Sequence, residues 1–160
     1  MQSHAKLTKY VHSMKRKLVP PPQSAIAQYT PFAVPQSSAF LRAVREQDYS
    51  SVAFQLGNNP QLIAAVDTLG KSALHWSVQL GNARLTALLL TYTPIVDLTD
   101  LAQRTPLYIA VKNDNYTQVK LLIEAGADPT LASMSGATPA SLAQAGTVVA
   151  QLMQRSQRGT

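Results

Sequence analysis

From Ser37 onward, apolar positions come in short clusters at helical spacing, and polar turn residues separate the clusters at regular intervals. Phe40, Leu41, Ala43 and Val44 form one cluster, and Val52, Phe54 and Leu56 a second, with Glu46-Gln47-Asp48 between them. That layout predicts two short antiparallel helices, closed by the turn chemistry of Gly57-Asn58-Asn59-Pro60. The same two-cluster layout returns over Leu74–Gln79 and Leu85–Leu90, broken at Gly81-Asn82. It returns again over Leu107–Lys112 and Val119–Ile123, broken at Asp114-Asn115. Glu124-Ala125-Gly126-Ala127-Asp128 then supplies a glycine stop and leads into a further turn.

The clusters keep a strict period. Asp67-Thr68-Leu69-Gly70-Lys71-Ser72-Ala73-Leu74-His75 aligns with the segment that starts at Asp100 and with the segment that starts at Ser133, each 33 residues on. In every copy a turn is followed by a Ser or Thr (Ser72, Thr105, Thr138) placed to cap a short helix. In the second copy Pro106 takes the first helical position, where its missing N–H costs nothing. A period of this length predicts an all-α solenoid, built from about four stacked helix-turn-helix repeats with hairpin loops. The expected boundaries are a capping repeat over 37–66, two full repeats over 67–99 and 100–132, and a shortened capping repeat over 133–158. The last repeat exchanges the apolar run Val148, Val149, Leu152, Met153 for Gln154, Arg155, Gln157 and Arg158, as an end repeat facing water requires.

Composition sharpens this picture in three ways. Hydrophobic residues make up 46% of the chain but aromatic residues only 6%, so the core rests on Leu, Ala, Val and Ile. There is no cysteine, which excludes a disulfide framework, a thiolate metal site and a cysteine nucleophile, and fits a cytoplasmic protein. The net charge of +6 is uneven. Of fourteen basic residues five (Lys6, Lys9, Lys15, Arg16 and Lys17) fall within the first 19 positions with no acid among them, leaving nine basic against eight acidic residues beyond. The high isoelectric point of about 9.8 therefore belongs to residues 1–36, a basic, proline-containing tail. Leu7, Tyr10, Val11, Met14 and Leu18 have helical spacing there, and Pro20-Pro21-Pro22 ends any such helix. No apolar run reaches the length of a transmembrane helix, and the N-terminus lacks the apolar core of a secretory signal.

The residues Thr105-Pro106-Leu107 with Ala110, followed by Leu121-Leu122-Ile123-Glu124-Ala125-Gly126-Ala127-Asp128, closely resemble the ankyrin repeat. Asp67, Gly70, Leu74, His75, Gly81, Leu88 and Leu89 carry the resemblance in the preceding copy. Several positions depart from that pattern. Ala73 replaces the proline, Tyr108 the histidine, Gln103 and Asp114 two turn glycines, and Thr93-Pro94-Ile95 the Gly-Ala-Asp run. The resemblance implies two antiparallel helices and a hairpin loop per repeat, and protein binding on a concave face made of hairpin tips and first helices. Carried over by position, the partner-facing residues are Leu69, Lys71, Gln79, Leu80, Leu101, Arg104, Lys112, Asn113 and Met134. Lys71, Arg104 and Lys112 would form a basic strip beside apolar Leu69, Leu80, Leu101 and Met134, each weighed against an ordinary solvated loop residue.

Catalytic chemistry is not indicated. His75 is the one histidine outside the tail, and the resemblance gives its position a structural role in orienting the hairpin. Asp67, Asp100 and Asp128 read as turn-stabilising side chains, and lone Trp76 as core or inter-repeat packing ahead of a binding anchor. No phosphate-binding glycine loop, metal-spaced cluster or nucleophile elbow occurs. The expectation is a monomeric, non-enzymatic module without cofactor or metal that binds another protein. The alternatives are a binder of anionic membrane or nucleic acid assisted by the basic tail, or a microbial effector or inhibitor acting on a host or partner enzyme. In the effector case the chain would be secreted into a host cell.

Overall fold

The computed structural model describes residues 35–158 apart from Thr93 and Ala145. The basic tail, with Lys6, Lys9, Lys15, Arg16, Lys17 and the expected amphipathic helix, lies outside the described residues. Among the described residues eight α-helices follow one another in pairs: α1 (Pro35–Arg45) with α2 (Tyr49–Asn58), α3 (Ala73–Gln79) with α4 (Ala83–Leu90), α5 (Pro106–Lys112) with α6 (Tyr116–Glu124), and α7 (Pro139–Leu142) with α8 (Val148–Arg158). Helix α1 opens slightly ahead of Ser37, because Pro35 is tolerated at a first helical position. A short 3₁₀ turn, Pro60–Ala64, follows α2 and buries Leu62; the apolar pattern gave no sign of it.

One local device makes each pair turn back. Gln47, Gly81 and Asp114 adopt left-handed backbone angles (φ of 57°, 69° and 49°) directly after the first helix. The next residue then returns its N–H to that helix: Asp48 to the Ala43 carbonyl, Asn82 to Ser77, and Asn115 to Ala110, each at 3.0 Å. The same three side chains cap the second helix, accepting from Ser51 N, Leu85 N and Gln118 N. In the last pair Thr147 does this work, its Oγ1 accepting from Ala150 N at 3.1 Å. First helices are capped as the sequence predicts, by Ser72, Thr105 and Thr138.

Because each helix is too short to be stable alone, burial of one face holds the array together. Leu74, Val78, Leu85 and Leu89 of one pair, and Leu107, Ala110, Val119 and Leu122 of the next, are almost wholly removed from water. Phe40, Val44, Val52 and Leu56 extend this core at one end, and Val149 and Met153 at the other. Each such Leu, Val, Phe or Met side chain contributes about 1.5–3 kcal/mol. Small polar groups fill the tightest place: Ser77 donates to the Leu74 carbonyl at 3.1 Å and accepts from Thr86 Oγ1 at 2.9 Å. On α8, Gln154, Arg155 and Arg158 are exposed.

Candidate protein-binding face

Between successive helix pairs the chain makes a tight hairpin, and the three described copies share one geometry. Asp67 N donates to Lys71 O, Asp100 N to Arg104 O, and Ser133 N to Ala137 O, at 3.0, 3.1 and 2.9 Å. Asp67 Oδ1 accepts from the Leu69 and Lys71 amides, and Asp100 Oδ1 from those of Ala102 and Arg104, all at 2.9 Å. The acids at these positions thus hold the turns, as their spacing suggests. Asp128 acts likewise, Oδ1 accepting from Thr130 N and Oγ1.

Neighbouring hairpins are stitched together through their tips. Leu101 N donates to Leu69 O, and Met134 N to Ala102 O, each at 3.0 Å. Leu101 and Met134 hold one register on their tips and Leu69 the next position on its own, with fractional exposures of 69%, 71% and 53%. Gly70 makes the close approach feasible: a Cβ there would lie 3.2 Å from Leu101 N and 3.3 Å from the Asp100 Cα. Leu80, at the end of α3, is also exposed, as are Gln79, Lys112 and Asn113.

Two of the expected surface cations are placed differently from the solvated strip that spacing suggests. Arg104 is half-buried and folds back on its own turn, its Nε and Nη2 donating to Asp100 Oδ2 at 2.9 and 2.7 Å. Burial pushes the Asp100 carboxyl up, but hydrogen bonds from the Arg104 side chain and backbone, with its charge, outweigh burial and hold the group below its ordinary 3.8. Lys71 is only 8% exposed. Its ammonium stacks 4.6 Å from the centre of the Trp76 ring and donates to Gln79 Oε1 at 2.7 Å. An aromatic face in the following helix draws the long aliphatic stem inward.

Trp76 is partly buried against the core, in keeping with its reading as packing, but it also organises charge. Its indole N–H donates to Asp67 Oδ2 at 2.9 Å, and the Arg45 guanidinium stands 5.6 Å from the ring centre. Arg45 escaped the sequence reading. It precedes Gln47 as Gln79 precedes Gly81 and Lys112 precedes Asp114, so aligning the helix breaks would have placed all three in one row.

His75 and Ser72 stand in a relation that resembles a catalytic pair, Ser72 Oγ lying 2.9 Å from His75 Nδ1. Their surroundings make the pair structural. Both are buried, Ser72 N donates to Nδ1 at 3.2 Å, and the His75 amide donates to Ser72 Oγ, which completes a reciprocal helix cap. Nδ1 therefore accepts, and Nε2–H donates to the Arg104 carbonyl at 2.9 Å. Burial pulls the His75 pKa below its ordinary 6.5, against the smaller upward effects of that hydrogen bond and of Asp100. An apolar cavity of about 350 Å³ lies nearby, lined by Ile63, Ala64, Val66, Ser72, Pro94, Ile95 and Leu98, and offers no carboxylate. Among the described residues no group of three or more His, Asp or Glu side chains is arranged to hold a metal ion, and no helix is long and apolar enough to cross a membrane.

A family profile described as ankyrin repeats in three copies matches residues 40–133, more than half of the chain. The chain belongs to the ankyrin-repeat family. Ankyrin repeats are in general protein–protein interaction modules rather than enzymes, and the stitched hairpins and paired helices above are the parts from which this array is built. A curated human relative, BCL-6 corepressor-like protein 1, is 37% identical to the chain over 82 residues. That match covers 51% of this chain and 5% of the human protein, so the chain corresponds to a small fraction of that relative's length.

Proposed function

We propose that this ankyrin array docks another protein on its concave face, through the hairpin tips and the exposed ends of the first helices. The carrying observation is the set of exposed apolar side chains Leu69, Leu101 and Met134 on successive hairpin tips, which main-chain hydrogen bonds tie to one another. Leu80 adds apolar area on the neighbouring helix, and Gln79, Lys112 and Asn113 supply a polar margin. Exposed apolar side chains inside a polar rim are what a protein interface uses to exclude water. The reading concerns binding alone and assigns no reaction to the chain.

Leu101→Asp combined with Met134→Asp tests it. Both residues are largely exposed, so the variant keeps its circular-dichroism spectrum and cooperative melt. Partners recovered with the wild-type chain from its source cell are expected to be lost with the variant. Unchanged recovery overturns the concave face as the site.

A further inference from the structure

The hairpin acids Asp67 and Asp100 are used up internally, while several cations of the same face form no ion pair. Asp67 spends its carboxylate on the Leu69 and Lys71 amides and the Trp76 indole, and Asp100 on its own turn and Arg104. Among the described residues two ion pairs form, Arg104–Asp100 and Lys120–Glu124, and neither involves Arg45, Lys71 or Lys112. Those three cations lie on successive elements of one face: Arg45 ends α1, Lys71 precedes α3, and Lys112 ends α5.

Lys71 is the anomaly among them. Its side chain is withdrawn from water, yet the partners of its ammonium are a neutral amide oxygen and the face of an indole. A desolvated ammonium is costly unless a carboxylate completes its shell. Gln79, which accepts its hydrogen bond, is exposed, so the ammonium lies next to a surface side chain. Arg45 brings a second positive charge to the same ring from the neighbouring helix. The result is half of an ion-pair network, preorganised on a rigid aromatic platform.

We propose that Arg45, Lys71 and Trp76 form an anchor for carboxylates of an acidic segment of the partner protein, which continues past Lys112 along the apolar row. The anchor rests on the concave-face reading above and adds the partner's chemistry: Glu or Asp side chains, interleaved with apolar ones. The partner's carboxylates complete the charges of Arg45 and Lys71, while its apolar residues cover Leu101 and Leu69.

Trp76 is the only tryptophan in the chain, so its emission and its indole N–H resonance report this site free of any binding to the basic tail. The probe is a short peptide of alternating Glu and Leu without aromatic residues, titrated into the full chain, with a Gln-for-Glu peptide as control. The glutamate peptide is expected to give a saturable Trp76 response that weakens with added salt. The glutamine peptide is expected to give none below about 1 mM. Arg45→Ala, an exposed position, should weaken binding about tenfold, and Lys71→Met at least as much.

No saturable Trp76 response overturns the anchor, as does an equal response to both peptides or indifference to Arg45→Ala. A single-stranded oligonucleotide that matches the peptide's response overturns it too, by assigning the cations to nucleic acid. Equal binding of both peptides that Leu101→Asp abolishes removes the acidic anchor and leaves the concave-face reading standing. Glutamate-specific binding lost in Arg45→Ala but untouched by Leu101→Asp supports the anchor and removes the apolar row.

Discussion

His75 Nε2 donates a hydrogen bond to the carbonyl oxygen of Arg104 at 2.9 Å, so a side chain on one repeat's first helix holds the hairpin of the next. Its other ring nitrogen is tied to Ser72 within its own repeat. Replacing His75 by Ala removes both bonds, opens space in the core and leaves the buried Ser72 N–H without its acceptor. The expected loss is about 2–3 kcal/mol of unfolding free energy, read from urea denaturation. A loss under about 0.5 kcal/mol would show that the bridge is dispensable.

The same residue makes stability depend on pH. Its folded-state pKa lies below 6.5, chiefly through burial, whereas the unfolded chain takes up the proton near 6.5. The unfolded state therefore binds more protons in the window that opens at about pH 6.5 and extends downward. Stability is full above that window and falls as pH drops through it. His75→Gln should flatten the slope between about pH 7 and about pH 5, with urea midpoints as the measurement. The contribution of Asp100, whose pKa is held below 3.8, is lost only under more acidic conditions. An unchanged slope in the glutamine variant would assign the effect to other groups.

The hairpin turns offer a pair of opposite outcomes. Gln103 adopts φ of 55° where the other two hairpins have Gly70 and Gly136. An L-residue in that region costs about 1 kcal/mol, so Gln103→Gly should raise stability by a large part of that amount. Gly70→Ala should lower it by more, because the same strain is joined by a Cβ pressed against the Leu101 amide and the Asp100 Cα. Thermal melts of the two variants settle the signs.

Gln118 is fully buried on α6, and neither its Oε1 nor its Nε2 has a protein hydrogen-bond partner. It occupies the position in its repeat that Leu85 holds in the previous one, three residues after the capping Asn. Gln118→Leu restores the apolar side chain at similar volume and should stabilise the array by about 1–2 kcal/mol. A destabilised variant in chemical denaturation would mean that the amide is better solvated than its burial implies.

Much of this architecture could be read before any coordinates, because local chemistry decides it. The caps at Ser72, Thr105 and Thr138, the turn acids Asp67 and Asp100, and the left-handed break at Gly81 each follow from residue type and spacing. Gln103 and Asp114 adopt the glycine conformation without being glycine, so period was a better guide than identity. The charges on the face were harder to place. A lysine at a hairpin's end reads as solvated until Trp76, several residues later, is known to offer it a surface. Arg45 was hidden because its repeat lacks the hairpin signature and joins the row only through its helix break. Among the described residues the 3₁₀ turn at Pro60–Ala64 has no counterpart in the other repeats and so no period to betray it.

The tip-to-tip bonds from Leu101 N to Leu69 O and from Met134 N to Ala102 O use main-chain atoms alone. Spacing along the array is therefore independent of which side chains the tips display. Residues 101 and 134 in one register, and 69 and 102 in the next, behave like interchangeable type in a fixed frame: a lineage can respell what it recognises one character at a time, without recasting the press.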